Sequence, residues 1–142
     1  KQADVNLLTY PLQLVSDKKT MLKNLNYYQK KVDPSGPAMT HSIYSIIYSK
    51  LGMKDKAWEL FQKAYKPNQR PPYGVLAEGA YDNNPYFMTA AGGMLQAVLF
   101  GFCAAEITND GVVFKKSQLP KHWKSVTLKG FGVKKETVII SN

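Results

Sequence analysis

The 142 residues suffice for one ordinary domain with at most a small appendage, and a hydrophobic share of 44% is enough for a packed core, which excludes a disordered chain. No apolar run reaches the roughly 18 residues that span a bilayer, and the longest, 90–105, is interrupted by glycines and a glutamine, so no membrane partner is expected. The net charge of +9 raises nucleic acid as a partner, but the lysines are scattered and Arg70 is the single arginine, so the charge reads as solvated surface and no nucleic acid is expected.

The single cysteine, Cys103, excludes an internal disulfide and a cysteine-rich zinc site, and its apolar surroundings read as those of a buried, inert thiol. His41 and His122 have no metal-ligand spacing, so neither a metal nor any other cofactor is expected. The chain opens on Lys1-Gln2-Ala3-Asp4 with neither Met nor leader and is expected to be a piece of a longer polypeptide. Its localisation is left open.

In chain order, residues 2–9 fit a short helix ended by Pro11. Ser16 is a candidate N-cap for the next, whose stripe of Met21, Leu22, Leu25, Tyr28 and Val32 runs to about residue 32. Asp33-Pro34-Ser35-Gly36-Pro37 breaks the chain. A third helix spans 39–51, with Ile43, Ile46, Ile47 and Leu51 inward, Ser42, Ser45 and Ser49 on the polar face, and Gly52 as its stop. A fourth spans 54–65, with Ala57, Leu60, Phe61 and Ala64 inward. These two helices resemble one tetratricopeptide unit, but such units need about three stacked copies and no second copy is found.

Residues 70–84 form a long irregular loop that carries Glu78. Asn84 and Pro85 suit the N-cap and first position of a helix, and the apolar residues from Phe87 to Phe100 lie on every face, which predicts a helix buried all round. Gly92 and Gly93 inside it call for a close approach by another helix or a ligand, and Gly101 reads as its C′ stop. The pattern then turns to β: a strand at 102–107, the Asn109-Asp110-Gly111 turn, a return strand at 112–114, a connector at 119–123, and strands at 126–128 and 137–140. Trp58 and Trp123 read as core or interface residues.

Four stretches together carry a resemblance to a known family. They are Lys1-Gln2-Ala3-Asp4-Val5 with Leu7-Leu8, Gly36-Pro-Ala-Met-Thr40, Gly92-Gly-x-Leu-Gln-Ala-Val-x-Phe-Gly101, and the Leu-Pro, Trp and Val-x-Leu pattern of 119–128. In this order and spacing they resemble glycoside hydrolase family 65, most of all its α-glucosidase branch, which includes α-1,2-glucosidases and glucosylgalactosyl-hydroxylysine glucosidases. The resemblance implies an α+β chain: the final helices of an (α/α)6 barrel at 1–101, followed by a small C-terminal β domain at 102–142. It implies an inverting hydrolase acting on an α-linked glucoside or glucose-containing glycan, with the remainder of the parent polypeptide as a partner. The family's catalytic acid lies upstream of the Lys-Gln pair, so this chain would hold only part of an active site.

Inverting hydrolysis needs an acid on the leaving oxygen and a base on a water at the opposite ring face, with carboxyls roughly 6.5–9.5 Å apart. Glu78 matches the family's base position; on composition alone an exposed loop glutamate is the plainer reading. Lys1 and Gln2 match the pair that contacts the terminal glucose, and would otherwise be surface residues. Asp82, four residues after Glu78, reads as a turn residue. Two other readings compete. A phosphorylase of the same family would need phosphate ligands where this chain has Pro37, Ala38 and Phe87, none of which offers a side-chain hydrogen bond. A helical-repeat-like binding module would need a repeat or groove that the sequence does not display.

Overall fold

In the computed structural model, which describes residues 3–84 and 86–142, the chain is mainly helical up to residue 102 and antiparallel β from residue 105. The α+β expectation holds at this level. No helix among the described residues is long and apolar enough to cross a membrane.

The first turn, Asp4–Leu8, is a 3-10 helix and not the α-helix expected over 2–9, whose first residue lies outside the described residues. Helix α1 spans Lys18–Tyr28 and continues as a 3-10 turn at Gln29–Lys31. Its N-cap is Asp17, one residue after the expected Ser16, because the Asp17 carboxylate accepts the Thr20 N–H at 2.8 Å. Met21 and Leu25 are buried, whereas Leu22 of the expected stripe is exposed.

Helix α2, Ala38–Lys50, is the centre of the helical part. Gly52, at φ +77°, ends it in a Schellman arrangement: Gly52 N–H donates to Ser49 O and Met53 N–H to Tyr48 O. The expected polar face of Ser42, Ser45 and Ser49 is buried, and this corrects the sequence reading. Ser45 Oγ donates to Ala57 O at 2.8 Å and so fastens α2 to helix α3, Lys54–Lys63. In α3 the inward set of Ala57, Leu60, Phe61 and Ala64 is buried as expected, and Glu59 takes Lys56 and Lys63 on the outside at 2.8 Å each.

Helix α4 spans Met88–Gln96 and runs into a π-helical turn at Ala97–Phe102. It begins later than expected: Phe87, not Asn84, is in the N-cap position, and Pro85 lies outside the described residues. Nor is the helix buried all round. Ala90, Ala97 and Phe102 are buried, but Met88 and Leu95 are 75% and 71% exposed. The apolar pattern demands cover that the described residues do not supply. Gly101 is not the C′ residue; the chain turns at Ala104, φ +53°. Gly101 is small for another reason. A Cβ there would come within 3.2 Å of Ser49 Oγ and 3.4 Å of Ile46 Cα. Gly93 is the same, with Ser42 Oγ and Cβ at 3.1 and 3.2 Å, whereas a Cβ on Gly92 would meet nothing within 4 Å. The close approach expected of the glycine pair belongs to Gly93 alone.

Among the described residues, six strands form three separate antiparallel pairs. Strands β1 (Gln69–Arg70) and β2 (Val75–Leu76) make a small hairpin that the sequence reading placed in the loop. Strands β3 (Ala105–Thr108) and β4 (Gly111–Phe114) pair across the expected Asn109-Asp110 turn, Thr108 facing Gly111. Strands β5 (Ser125–Phe131) and β6 (Glu136–Ser141) pair with an irregularity between Leu128 and Phe131, where Gly130 takes φ +66°. One aromatic cluster joins this part to the helices: Trp58, Phe61 and Phe102 pack around Trp123 with centroids 5.6 to 6.3 Å away. Both tryptophans are partly buried and pack against the core, and Cys103 is buried, its thiol pushed up to about 11 by burial.

Two outcomes follow for stability and association. Gly92→Ala should stabilise by about 0.5–1 kcal/mol through helix propensity. Gly93→Ala and Gly101→Ala should each destabilise by ~1–3 kcal/mol through overpacking. Denaturant melts of the three variants check this, and a stabilising Gly93→Ala would contradict the packing described. The bare apolar side chains of α4 should also drive concentration-dependent association of this chain, seen by light scattering and reduced by Met88→Lys with Leu95→Lys. A single monomeric species at every concentration would contradict that.

Candidate active site

The loop between β2 and α4 is held in shape by the single arginine. Gly74, at φ +68°, closes the β1–β2 turn with its N–H on Arg70 O at 2.9 Å. This turn aims the Arg70 guanidinium back across the loop. Its nitrogens donate to the carbonyls of Pro67, Gln69, Gly79, Ala80 and Asp82 at 2.8 to 3.1 Å. A planar fork with five N–H donors can serve five carbonyls, more than the three protons of a lysine ammonium could.

Glu78 sits inside this clamped loop and is half-buried. Its N–H donates to Asn84 Oδ1 at 3.1 Å, and Asn84 Nδ2 donates to Glu78 Oε2 at 3.2 Å. One amide thus ties the backbone and the carboxylate of the same residue. On the other side, Glu78 O accepts from Asn68 Nδ2 at 2.9 Å and from the Ala38 N–H at 3.2 Å. Asn68 is itself buried and also donates to Ala77 O. Glu78 is therefore fastened to the start of α2, inside the Gly-Pro-Ala-Met-Thr stretch. Gly79 has to be small, because a Cβ there would come within 2.9 Å of Ser35 O and 2.7 Å of Asp82 Oδ2.

Lys1 and Gln2 lie outside the described residues. Asp82 is exposed and holds the loop through its backbone, its N–H on Gly79 O and its carbonyl under Arg70, as suits a turn residue. His41 and His122 stand apart: burial lowers the pKa of His41, and His122 lies edge-on to Trp58 with centroids 4.6 Å apart. No group of three potential metal ligands occurs among the described residues. Three residues that orient Glu78 were not singled out for that role by sequence reasoning: Asn84, read as a helix cap, Arg70, read as one charge among many, and Asn68. The available signals were an Asn-Asn-Pro run just after the acid and the uniqueness of the arginine.

Two of the stretches noted in the sequence meet in a shallow cavity of about 220 Å³, lined by Met39, Gly92, Gly93 and Gln96 together with Tyr10. The Tyr10 hydroxyl donates to Gln96 Oε1 and fixes the segment after residue 8 against α4. Glu78 is not among the residues lining this cavity.

Residues 1–79 match the profile of the glycosyl hydrolase family 65 central catalytic domain. The chain is 46% identical over 141 residues to a kojibiose hydrolase of Mucilaginibacter mallensis, covering 99% of this chain and 21% of that protein. A kojibiose hydrolase of Flavobacterium johnsoniae is likewise 46% identical over 144 residues, with 100% and 21% covered. A protein-glucosylgalactosylhydroxylysine glucosidase of Danio rerio is 36% identical over 131 residues, with 92% and 20% covered. The chain spans about a fifth of the length of these relatives. Because the profile takes in more than half of its residues, the chain belongs to glycosyl hydrolase family 65.

Proposed function

We propose that the protein carrying this chain is an inverting α-glucoside hydrolase in which Glu78 is the general base. Relatives named as a hydrolase of kojibiose and a glucosidase of a glucosylated hydroxylysine support the substrate class, an α-linked glucoside or glucose-containing glycan. The observation that carries the residue assignment is the Asn84 amide, which fixes the Glu78 carboxylate against its own backbone in a loop clamped by Arg70. A base must be held still relative to the water it activates, because misplacement erodes the advantage of proximity. With Oε2 held by Asn84, Oε1 is the oxygen left to receive the proton as water attacks the anomeric carbon. The leaving oxygen is protonated by an acid supplied upstream of this chain. Lys1 and Gln2 donate to hydroxyls of the terminal glucose. In the same reading, residues 1–101 are the last helices of an (α/α)6 barrel and 102–142 a C-terminal β domain.

Water, not phosphate, is the nucleophile in this proposal. The positions where a phosphorylase would hold phosphate are Pro37, Ala38 and Phe87, and the Ala38 N–H is already given to Glu78 O.

In the intact protein Glu78→Gln should lower turnover by about 10²–10⁴-fold, the usual worth of a positioned acid–base group, without shifting the melting temperature. The acid survives this change, so azide attacking the anomeric carbon in place of water should restore cleavage and leave the β-glucosyl azide, and a β-glucosyl fluoride given an acceptor sugar should form the α-glucoside with release of fluoride. Asp82→Asn should leave turnover near normal. Loss in Asp82→Asn with retention in Glu78→Gln would reverse the assignment, and retention in both would move the base out of this chain.

A further inference from the structure

His41 takes no part in the chemistry proposed above, yet it stands where the Glu78 loop is moored. It lies in the first turn of α2, three residues after Ala38, whose N–H holds Glu78 O at 3.2 Å. It lines a cavity of about 320 Å³ together with Gly36, Lys63, Pro67 and Asn68. Two of these walls hold the loop. Asn68 is 2% exposed and donates to Glu78 O at 2.9 Å, and its own carbonyl accepts the Ala77 N–H at 2.9 Å. Beside Gly36, Ser35 O accepts the Ala80 N–H at 3.4 Å. Glu78 itself is not among the lining residues.

These surroundings accept a neutral imidazole and oppose a charged one. Nδ1 is sealed from solvent and has no hydrogen-bond partner among the described residues. On protonation both ring nitrogens become donors, so Nδ1–H would be a buried, charged donor without an acceptor, a costly state. The first turn of a helix is also the positive end of its dipole, which disfavours a cation. Among the described residues no carboxylate lines the cavity, and Lys63 of α3 is the other charged residue that does, already paired with Glu59 at 2.8 Å. The 3-10 turn after α1 brings only Lys30 and Lys31, both exposed. Asp33 is engaged by the Ser35 N–H and hydroxyl at 2.9 and 2.8 Å. Burial first, and Lys63 second, accordingly hold the His41 pKa below its ordinary value.

We propose that His41 is an acid-sensitive catch on the loop whose Glu78 is read above as the base. Neutral, it lets the cavity stay closed. Protonated, it draws water to Nδ1, and the walls that carry Ser35 and Asn68 part from α2 and release the loop. The sign follows from proton binding. In the opened form His41 is hydrated and titrates near its ordinary value of about 6.5. In the closed form it takes a proton only at lower pH. The closed form is therefore at full strength above about pH 6.5 and loses ground as pH falls from there toward the closed-form value, by at most about tenfold per pH unit. Such a control acts on the base through its mooring and not through the charge of its carboxylate.

The test is hydrogen exchange of the intact protein, read by mass spectrometry from about pH 8 to about pH 5 and corrected for the intrinsic pH dependence of exchange. In the wild type, protection in peptides covering Ala38, Ala77 and Ala80 should fall as the pH drops below about 6.5, by up to about tenfold per pH unit, while peptides of the β5–β6 hairpin keep theirs. His41→Gln and His41→Phe should each abolish the fall. Protection that does not change with pH in the wild type would overturn the proposal, and this result needs no variant to fold. So would a fall equally steep in either folded His41 variant, or a fall shared by the β5–β6 hairpin, which would mark general unfolding. Exchange reads the mooring of the loop and not the reaction, so its outcome is separate from the base assignment, which the turnover of Glu78→Gln decides.

Discussion

The close contact of α2 with α4 and its π-helical continuation is the constraint from which the rest of the arrangement follows. Two helices approach this closely only where small residues face each other, and here Ser42 meets Gly93 and Ser49 meets Gly101. That contact buries the serines of α2 and brings the Gly-Pro-Ala-Met-Thr stretch beside Gly92 and Gly93. With α3 fastened to α2 by Ser45, the start of α2 becomes a fixed platform. The loop that carries Glu78 is moored to this platform at Ala38.

The loop itself depends on polar contacts. Arg70 gathers five carbonyls that would otherwise face solvent or each other, and Asn68 and Asn84 hold Glu78 from its two sides. The price of such precision is that a small number of side chains carry it. The rigidity lies in the backbone of the loop, and the carboxylate inherits it through one amide. This is the arrangement expected where a side chain must act at a fixed point without itself belonging to the core.

What was legible in the sequence was legible for local reasons. The buried set of α3, the Gly52 stop and the Asn109-Asp110 hairpin each rest on a periodicity or a φ requirement confined to a few residues. What was missed depends on distant partners. The serines of α2 look polar until Gly93 and Gly101 arrive from fifty residues away. Gly101 carries the same letter whether it stops a helix or admits a neighbour, and only the structure separates the two. Asn84 is a good cap by type, but the helix starts later and its amide goes back to Glu78. Glu78 drew attention through the family resemblance, because no local pattern distinguishes a base from an ordinary loop glutamate. Lys1 and Gln2 came from the same resemblance.

The central claim is that a water activated by Glu78 attacks the face opposite the leaving group. The anomer first released tests it most directly. Proton NMR of the intact protein acting on an α-glucoside, read before mutarotation, should show β-glucose as the initial product. Initial release of α-glucose, or a reaction that proceeds only when phosphate is added and yields a glucosyl phosphate, would contradict the account.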